Sequence, residues 1–256
     1  MCPSLWPARL PPGFSRRAWK SSSLRRRVEL IVYQPYLTSG RDLPTLYLLH
    51  GSGHTPTSVI RDVQPQSCLA ELGEALLVVP DGHQGWWLDS PVVEHSQYES
   101  YLLELVGFVE NEYPVAANRQ SRGLCGFSMG GFGAMHFAAR HPEAFATASS
   151  LLGPLDIVQW YPAYYRLARL LGKDIATWRA HNPAALCGEL AGTHLRFSTG
   201  TEALDRPQND SFAEALSRQG IQHQYELYPG RHEADWVRQH LGSHLAFHRR
   251  HFSGPA

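Results

Sequence analysis

Short apolar runs alternate along this chain with longer amphipathic stretches, and that alternation constrains the fold more than any other feature. Leu46 to His50 (LYLLH) and Leu76 to Pro80 (LLVVP) are near-continuous apolar runs, the kind that strands buried on both faces produce. Val28–Tyr33, Arg122–Cys125, Ala144–Leu152, Leu195–Thr199 and Gln224–Tyr228 read as further strands. Between them lie helical patterns. Gln97–Tyr113 carries Leu102, Leu105, Val106 and Val109 on one face, and Ser211–Gln219 carries Phe212, Ala215 and Leu216. Met129–Arg140 is rich in small residues, and Asp235–Phe252 closes the chain. Strands separated by helices predict an α/β chain: a mostly parallel central sheet with helices on both faces. In such sheets ligands sit beyond the carboxyl ends of the strands, so the chemistry is expected in the loops that follow them.

The 256 residues suit one such domain, expected over 24–256. Residues 1–23, rich in Pro, Ser and Arg, read as a poorly ordered arm. Between Gly153 and Thr193 the alternation breaks into an aromatic-rich segment with Trp160, Tyr161, Tyr164, Tyr165 and Trp178. This is expected to be an insertion of short helices over the edge of the site. Lys plus Arg equals Asp plus Glu at 23 each, so bulk charge offers no attraction to nucleic acid or an anionic membrane. Cys2, Cys68, Cys125 and Cys187 show neither zinc-ligand spacing nor a disulfide framework. No apolar run reaches the length of a membrane span, and the Pro-rich start lacks the form of a signal peptide. The expectation is a cytoplasmic protein without membrane partner, metal or cofactor; oligomeric state is not legible.

Gly126-Phe127-Ser128-Met129-Gly130 joins a strand to a small-residue helix. A G-x-S-x-G elbow in that setting forces its serine into strained backbone angles and lifts the hydroxyl above the sheet at a helix N-terminus. Ser128 is therefore the expected nucleophile, and the architecture is that of the α/β-hydrolase fold. Acyl transfer needs two N–H donors for the tetrahedral oxyanion. One is expected from Met129, after the nucleophile, and the other from Ser52, in the His50-Gly51-Ser52-Gly53-His54 loop after the strand at 46–50. His54 is a candidate pocket residue. Of the 14 histidines, His232 sits between the last strand and the last helix, where this fold keeps its base. His240, His244 and His248 recur every four residues on the closing helix; the expectation there is a solvated face rather than a metal site.

These segments resemble the esterase-D-like branch of the α/β hydrolases, which includes S-formylglutathione hydrolases, tributyrin and feruloyl esterases, and mycolyltransferases. The resemblance rests on LYLLHGSG at 46–53, VVPDG at 78–82 with Trp86-Trp87 after it, GLCGFSMGGFGAM at 123–135, HPEAF at 141–145, STGTE at 198–202 and YPGRH at 228–232. It implies a Ser–His–acid triad. The family places its acid at a position occupied here by Ala203. Asp205 and Glu202 are the neighbours able to replace it, with Asp205 preferred and Glu214 a distant third. Trp86 and Trp87 are expected to line the pocket and favour short acyl or aryl esters. The expected activity is carboxylic ester hydrolysis of a small molecule through an acyl-enzyme on Ser128. Acyl transfer or thioester hydrolysis on the same fold is the alternative. A non-catalytic binding protein is supported only by the missing acid at 203.

Overall fold

The computed structural model describes residues 9–36 and 42–252. Among these, eight strands form one sheet: β1 (Phe14–Ser21), β2 (Arg26–Tyr33), β3 (Thr45–Leu49), β4 (Leu76–Pro80), β5 (Arg122–Phe127), β6 (Thr147–Leu151), β7 (His194–Gly200) and β8 (Gln224–Tyr228). Their order is β1-β2-β4-β3-β5-β6-β7-β8. The six strands from β3 onward run parallel, and β1 and β2 form an antiparallel edge. The longer helices are α1 (Tyr98–Glu112), α2 (Met129–Arg140), α3 (Tyr165–Leu171), α4 (Ile175–Ala180), α5 (Arg206–Arg218) and α6 (Ala234–His251).

The unbroken apolar runs have a direct cause in the pleat. Along β3 and β4, Tyr47, Leu49, Leu76 and Val78 enter a core shared with Leu102 and Leu105 of α1 and Phe132 of α2. Their neighbours Leu46, Leu48, Leu77 and Val79 enter a second core on the opposite face, with Val237, Leu241 and Leu245 of α6. Successive side chains point to opposite faces, and both faces are covered, so every position is apolar. A third cluster beneath α5 joins Phe197 of β7 to Phe212 and Leu216.

The segment expected as a loose arm contains β1. Phe14 to Ser21 pair with Tyr33 to Arg26 in unbroken register. Trp19 stacks on Phe108 of α1 at 4.7 Å between ring centroids. Glu104 of α1 accepts hydrogen bonds from Ser21 Oγ at 2.6 Å and the Ser23 N–H at 2.8 Å, which fixes the hairpin turn. An edge strand carries charge on its open side, so Arg16, Arg17 and Lys20 give it the composition of a disordered segment. Residues 1–8, Cys2 included, lie outside the described residues. The 153–193 stretch forms α3, α4 and two short 3₁₀ turns at Ile157–Trp160 and Cys187–Leu190. Cys68, Cys125 and Cys187 are free thiols.

The histidines of α6 do not form a solvated face. His244 and His248 are fully buried. His248 Nδ1 lies 2.6 Å from Thr147 Oγ1 and its Nε2 2.8 Å from Ser149 Oγ, both on β6. His244 Nε2 lies 2.8 Å from Ser198 Oγ on β7. Hydroxyls in the sheet satisfy both nitrogens of His248 and one of His244, whose Nδ1 is buried without a partner; paired groups of this kind are the form in which polar atoms are tolerated in a core. His240 stacks on Tyr228 with ring centroids 4.2 Å apart.

At the end of β5 the backbone packs more closely than a side chain allows. A Cβ on Gly126 would lie 2.0 Å from the Gly130 carbonyl oxygen, and one on Gly130 would lie 1.9 Å from the Leu49 carbonyl oxygen. These contacts draw the first turn of α2 against the ends of β5 and β3.

Two predictions follow from this packing. Gly130→Ala has only backbone to displace and is expected to lower unfolding free energy by about 3 kcal/mol or more; a urea midpoint equal to wild type would refute the close approach. The second concerns acid. Burial holds His136 and His248 at about 3 and His244 well below the ordinary 6.5. Between those values the unfolded chain binds protons that the folded chain refuses. Stability is therefore full above about pH 6.5 and falls with acidification, each histidine contributing about 1.4 kcal/mol per pH unit. Melting temperatures measured from pH 7 to pH 4 must drop; a flat profile to pH 4 contradicts the burial of these neutral rings.

Candidate active site

Four loops meet at the carboxyl ends of β3, β5, β7 and β8. The sheet order turns at β3, because β4 lies on one side of it and β5 on the other. That switch point opens a crevice between the loops after β3 and β5. Ser128 follows β5 directly and caps α2 with φ 54° and ψ −122°. This left-handed backbone is sterically costly for a residue with a Cβ. It is held by the Ser128 N–H donating to the Leu151 carbonyl at 2.8 Å and by the Ser128 carbonyl accepting from the Phe132 N–H at 3.0 Å.

His232, in the loop between β8 and α6, places Nε2 2.8 Å from Ser128 Oγ. Its Nδ1 lies 2.7 Å from Asp205 Oδ1. The ionised carboxylate can only accept, so Nδ1 carries the proton and Nε2 accepts from the serine hydroxyl. Asp205 is 1 % exposed. Its second oxygen accepts from Thr199 Oγ1 at 2.6 Å and from Asn209 Nδ2 at 3.0 Å. Both carboxylate oxygens are thus engaged, which fixes the angle at which the acid meets the imidazole. Glu202 does not reach this group; it pairs with Arg231 at the surface, 3.2 Å away. Glu214 faces solvent and pairs with Arg218 along α5. Ala203, at the position where the resembling family keeps its acid, is buried within the apolar cluster beneath α6.

Gly51 packs so tightly that a Cβ there would lie 3.1 Å from Ser128 Cβ. The Gly51–Ser52 backbone therefore flanks the serine side chain. Among the described residues neither the Ser52 N–H nor the Met129 N–H has an acceptor. Met129 is the first residue of α2, where the helix dipole adds a partial positive charge.

A cleft of about 140 Å³ opens beside Ser128, bordered by Ser52, His54, Phe127, Leu152, Glu233 and Val237. His54 meets the Phe127 ring edge-on at 5.2 Å; burial, with His50 nearby, lowers its pKa. Trp86 and Trp87 do not border this cleft. Both have left-handed backbones, φ 55° and 56°, which turn their side chains inward. Trp87 packs over Gly82 and Gly133 and donates from its indole N–H to the His50 carbonyl at 3.2 Å. Trp86 meets Phe132 and Tyr164. Trp87 thus supports the 50–54 loop from within the core, and Trp86 packs between α2 and the insertion, rather than lining the cleft. His50 is likewise built in: its Nε2 accepts from the Gly82 N–H at 2.9 Å.

Sequence reasoning overlooked the groups that hold the acid and the oxyanion loop. Asn209 was detectable, since it stands one helical turn after Asp205. Gln84 and Arg166 carry no such local signal; Ser52 Oγ donates to Gln84 Oε1 at 2.6 Å and accepts from Arg166 of α3. Away from the cleft, Glu99, His136 and His181 bring ligand-type atoms within 4.8 Å of one another. Glu99 Oε1 accepts from Arg140 and faces His141, and the two imidazoles lie 3.0 Å apart, while Glu99 Oε2 and His136 Nδ1 are buried without a hydrogen-bond partner.

Comparison with known proteins identifies the family and the fold. The family described as "Putative esterase" matches residues 21–248. Esterase Rv1288 of Mycobacterium tuberculosis is 29% identical over 236 residues, covering 80% of this chain and 52% of the relative. The chain thus spans about half the length of the curated relatives it matches. Among solved structures, the fluorophosphonate-binding serine hydrolase FphF of Staphylococcus aureus superposes with a TM-score of 0.81 at 21% identity, over 92% of this chain and 98% of that one. An S-formylglutathione hydrolase from Agrobacterium tumefaciens gives a TM-score of 0.81 at 23% identity, over 94% and 95%. At such identities these two likenesses establish the shared α/β-hydrolase fold. The family match over most of the chain goes further: this protein belongs to the esterase family.

Proposed function

We propose that this chain is a serine hydrolase cleaving small carboxylic esters. The observation that carries the reading is the run of contacts from Ser128 Oγ through both nitrogens of His232 to Asp205, at 2.8 and 2.7 Å. In the first step Ser128 Oγ attacks the ester carbonyl carbon while His232 Nε2 takes its proton. Asp205 keeps the ring in the tautomer that presents Nε2 as acceptor and stabilises the imidazolium. The carbonyl oxygen becomes an oxyanion bound by the Met129 and Ser52 N–H groups. Collapse expels the alcohol, which receives the proton from His232 and leaves an acyl group on Ser128. Water, deprotonated by the same imidazole, then releases the acid and restores the hydroxyl.

The cleft favours a short acyl group. A volume of about 140 Å³ lies well below the 300 Å³ or more typical of drug-sized sites. The binding-protein reading loses its one support, because Asp205 supplies the carboxylate absent at 203. No helix among the described residues is long and apolar enough to cross a membrane. We place the protein in the cytoplasm, where its free thiols would stay reduced, with no nucleic-acid partner given its balanced charge.

The test is direct. A fluorophosphonate probe is expected to label the protein, and p-nitrophenyl acetate to be hydrolysed, both abolished by Ser128→Ala. Asp205→Asn is expected to lower kcat by about 10⁴-fold, whereas Glu202→Gln stays within about twofold of wild type, since a surface ion pair contributes little. Turnover that survives Ser128→Ala refutes the mechanism. Loss on Glu202→Gln with retention in Asp205→Asn would reverse the assignment of the acid.

A further inference from the structure

Two arginines of α3, one of them in contact with Ser52, stand without a counter-charge. Arg166 donates from Nη1 to Ser52 Oγ and from Nε to the Tyr165 hydroxyl at 3.2 Å. Arg169, one turn further along the helix, borders two adjoining clefts. One of about 170 Å³ is shared with Gln84, Tyr165 and Arg166. The other, of about 200 Å³, is shared with Gln84, His83 and His95. Among the described residues neither arginine has a carboxylate within ion-pair distance, although ion pairs are frequent elsewhere on the surface. The chain as a whole is electroneutral, so this local excess of positive charge is not a general property of the protein. Glu233 also borders the Ser128 cleft. The cleft thus holds a carboxylate next to α6 and adjoins a guanidinium at Ser52.

We propose that Arg166 and Arg169 form an anion subsite, and that the ester bound at Ser128 carries a carboxylate directed towards Ser52 and Gln84. This rests on the hydrolase reading above and narrows its substrate class. A guanidinium offers a planar fork of donors matched to a carboxylate. Arg166 already touches the residue whose N–H faces the oxyanion, so a group held there lies beside the reacting carbonyl. Because both side chains are exposed, the attraction is screened by salt. The carboxylate can belong to the leaving group or to the acyl chain, and two ester pairs separate these sources.

The experiment compares kcat/KM for para-acetoxybenzoate with its neutral methyl ester, and for mono-p-nitrophenyl glutarate with p-nitrophenyl valerate. Each ratio of anionic to neutral ester is measured in wild type, Arg166→Ala, Arg169→Ala and Arg169→Lys. In one pair, the ratio is expected to fall about tenfold on removal of either arginine, through KM, to be partly kept by lysine, and to shrink at high salt. The pair that responds identifies which side of the ester bears the charge. Ratios equal in wild type and both alanine variants, for both pairs, overturn the proposal. Calorimetric titration of Ser128→Ala with para-acetoxybenzoate and with monomethyl glutarate reads the subsite without turnover. Tighter binding of either compound than to Ser128→Ala lacking both arginines supports it even if no ester is hydrolysed, and for each compound an affinity equal in the two proteins overturns it. Failure of hydrolysis alone counts against the mechanism and not against the subsite.

Discussion

Parallel pairing of β3 with β5, in the register that sets Leu49 opposite Gly126, is the constraint on which the site depends. It ends two strands side by side, so the loop after one can supply a donor to the nucleophile after the other. The spacing is tighter than ordinary strand neighbours require, because the first turn of α2 must also enter. Gly130 approaches the Leu49 carbonyl where no Cβ fits. The glycines flanking Ser128 act through this three-way approach of β3, β5 and α2. Once it is made, the serine has nowhere to go but the left-handed region, and its hydroxyl has nowhere to point but the crevice.

The remaining members of the site are held by burial. Asp205 loses nearly all its hydration, which is tolerable only because Thr199, Asn209 and His232 replace it. Asn209 also donates to the Gly153 and Asp205 carbonyls, tying the start of α5 to the beginning of the insertion. The acid is thus fixed by β7, α5 and the loop after β6 together. His232, by contrast, is about one-third exposed, as a group that exchanges protons with substrate and water has to be.

Much of this was legible in the sequence wherever local chemistry and tertiary structure agree. The α2 bounds and those of β8 coincide with the expected ones, because glycine, proline and a clean change of period mark them. The serine and histidine were legible because the fold imposes an order on them along the chain. What escaped the sequence escaped it for physical reasons. β1 reads as disordered because an edge strand is half solvent-exposed and therefore charged. His244 and His248 read as a solvated face because the hydroxyls that neutralise their burial lie on β6 and β7, far away in sequence. Asp205 and Glu202 differ by three residues. Only the start of α5 turns one inward beneath His232 and leaves the other beside Arg231. Trp86 and Trp87 sit next to recognisable motifs, but two successive positive φ angles turn them into the core instead of the cleft.

The insertion makes the least predictable contribution and the one with the most consequence for selectivity. The sheet and its loops position Ser128, His232, Asp205 and the Ser52 and Met129 N–H groups, to which the proposed mechanism assigns the chemistry, without it. What α3 adds is a lateral contact, Arg166 on Ser52, that joins the insertion to the loop beside Ser128. Ser52 acts there through its backbone on one side and through its hydroxyl on the other. A change in what Arg166 binds can therefore alter the oxyanion loop without touching Ser128, His232 or Asp205. In the proposed reading the reacting groups are set by the sheet and the groups that read the rest of the substrate by the insertion, so the second set can be altered by substitution while the first is left in place.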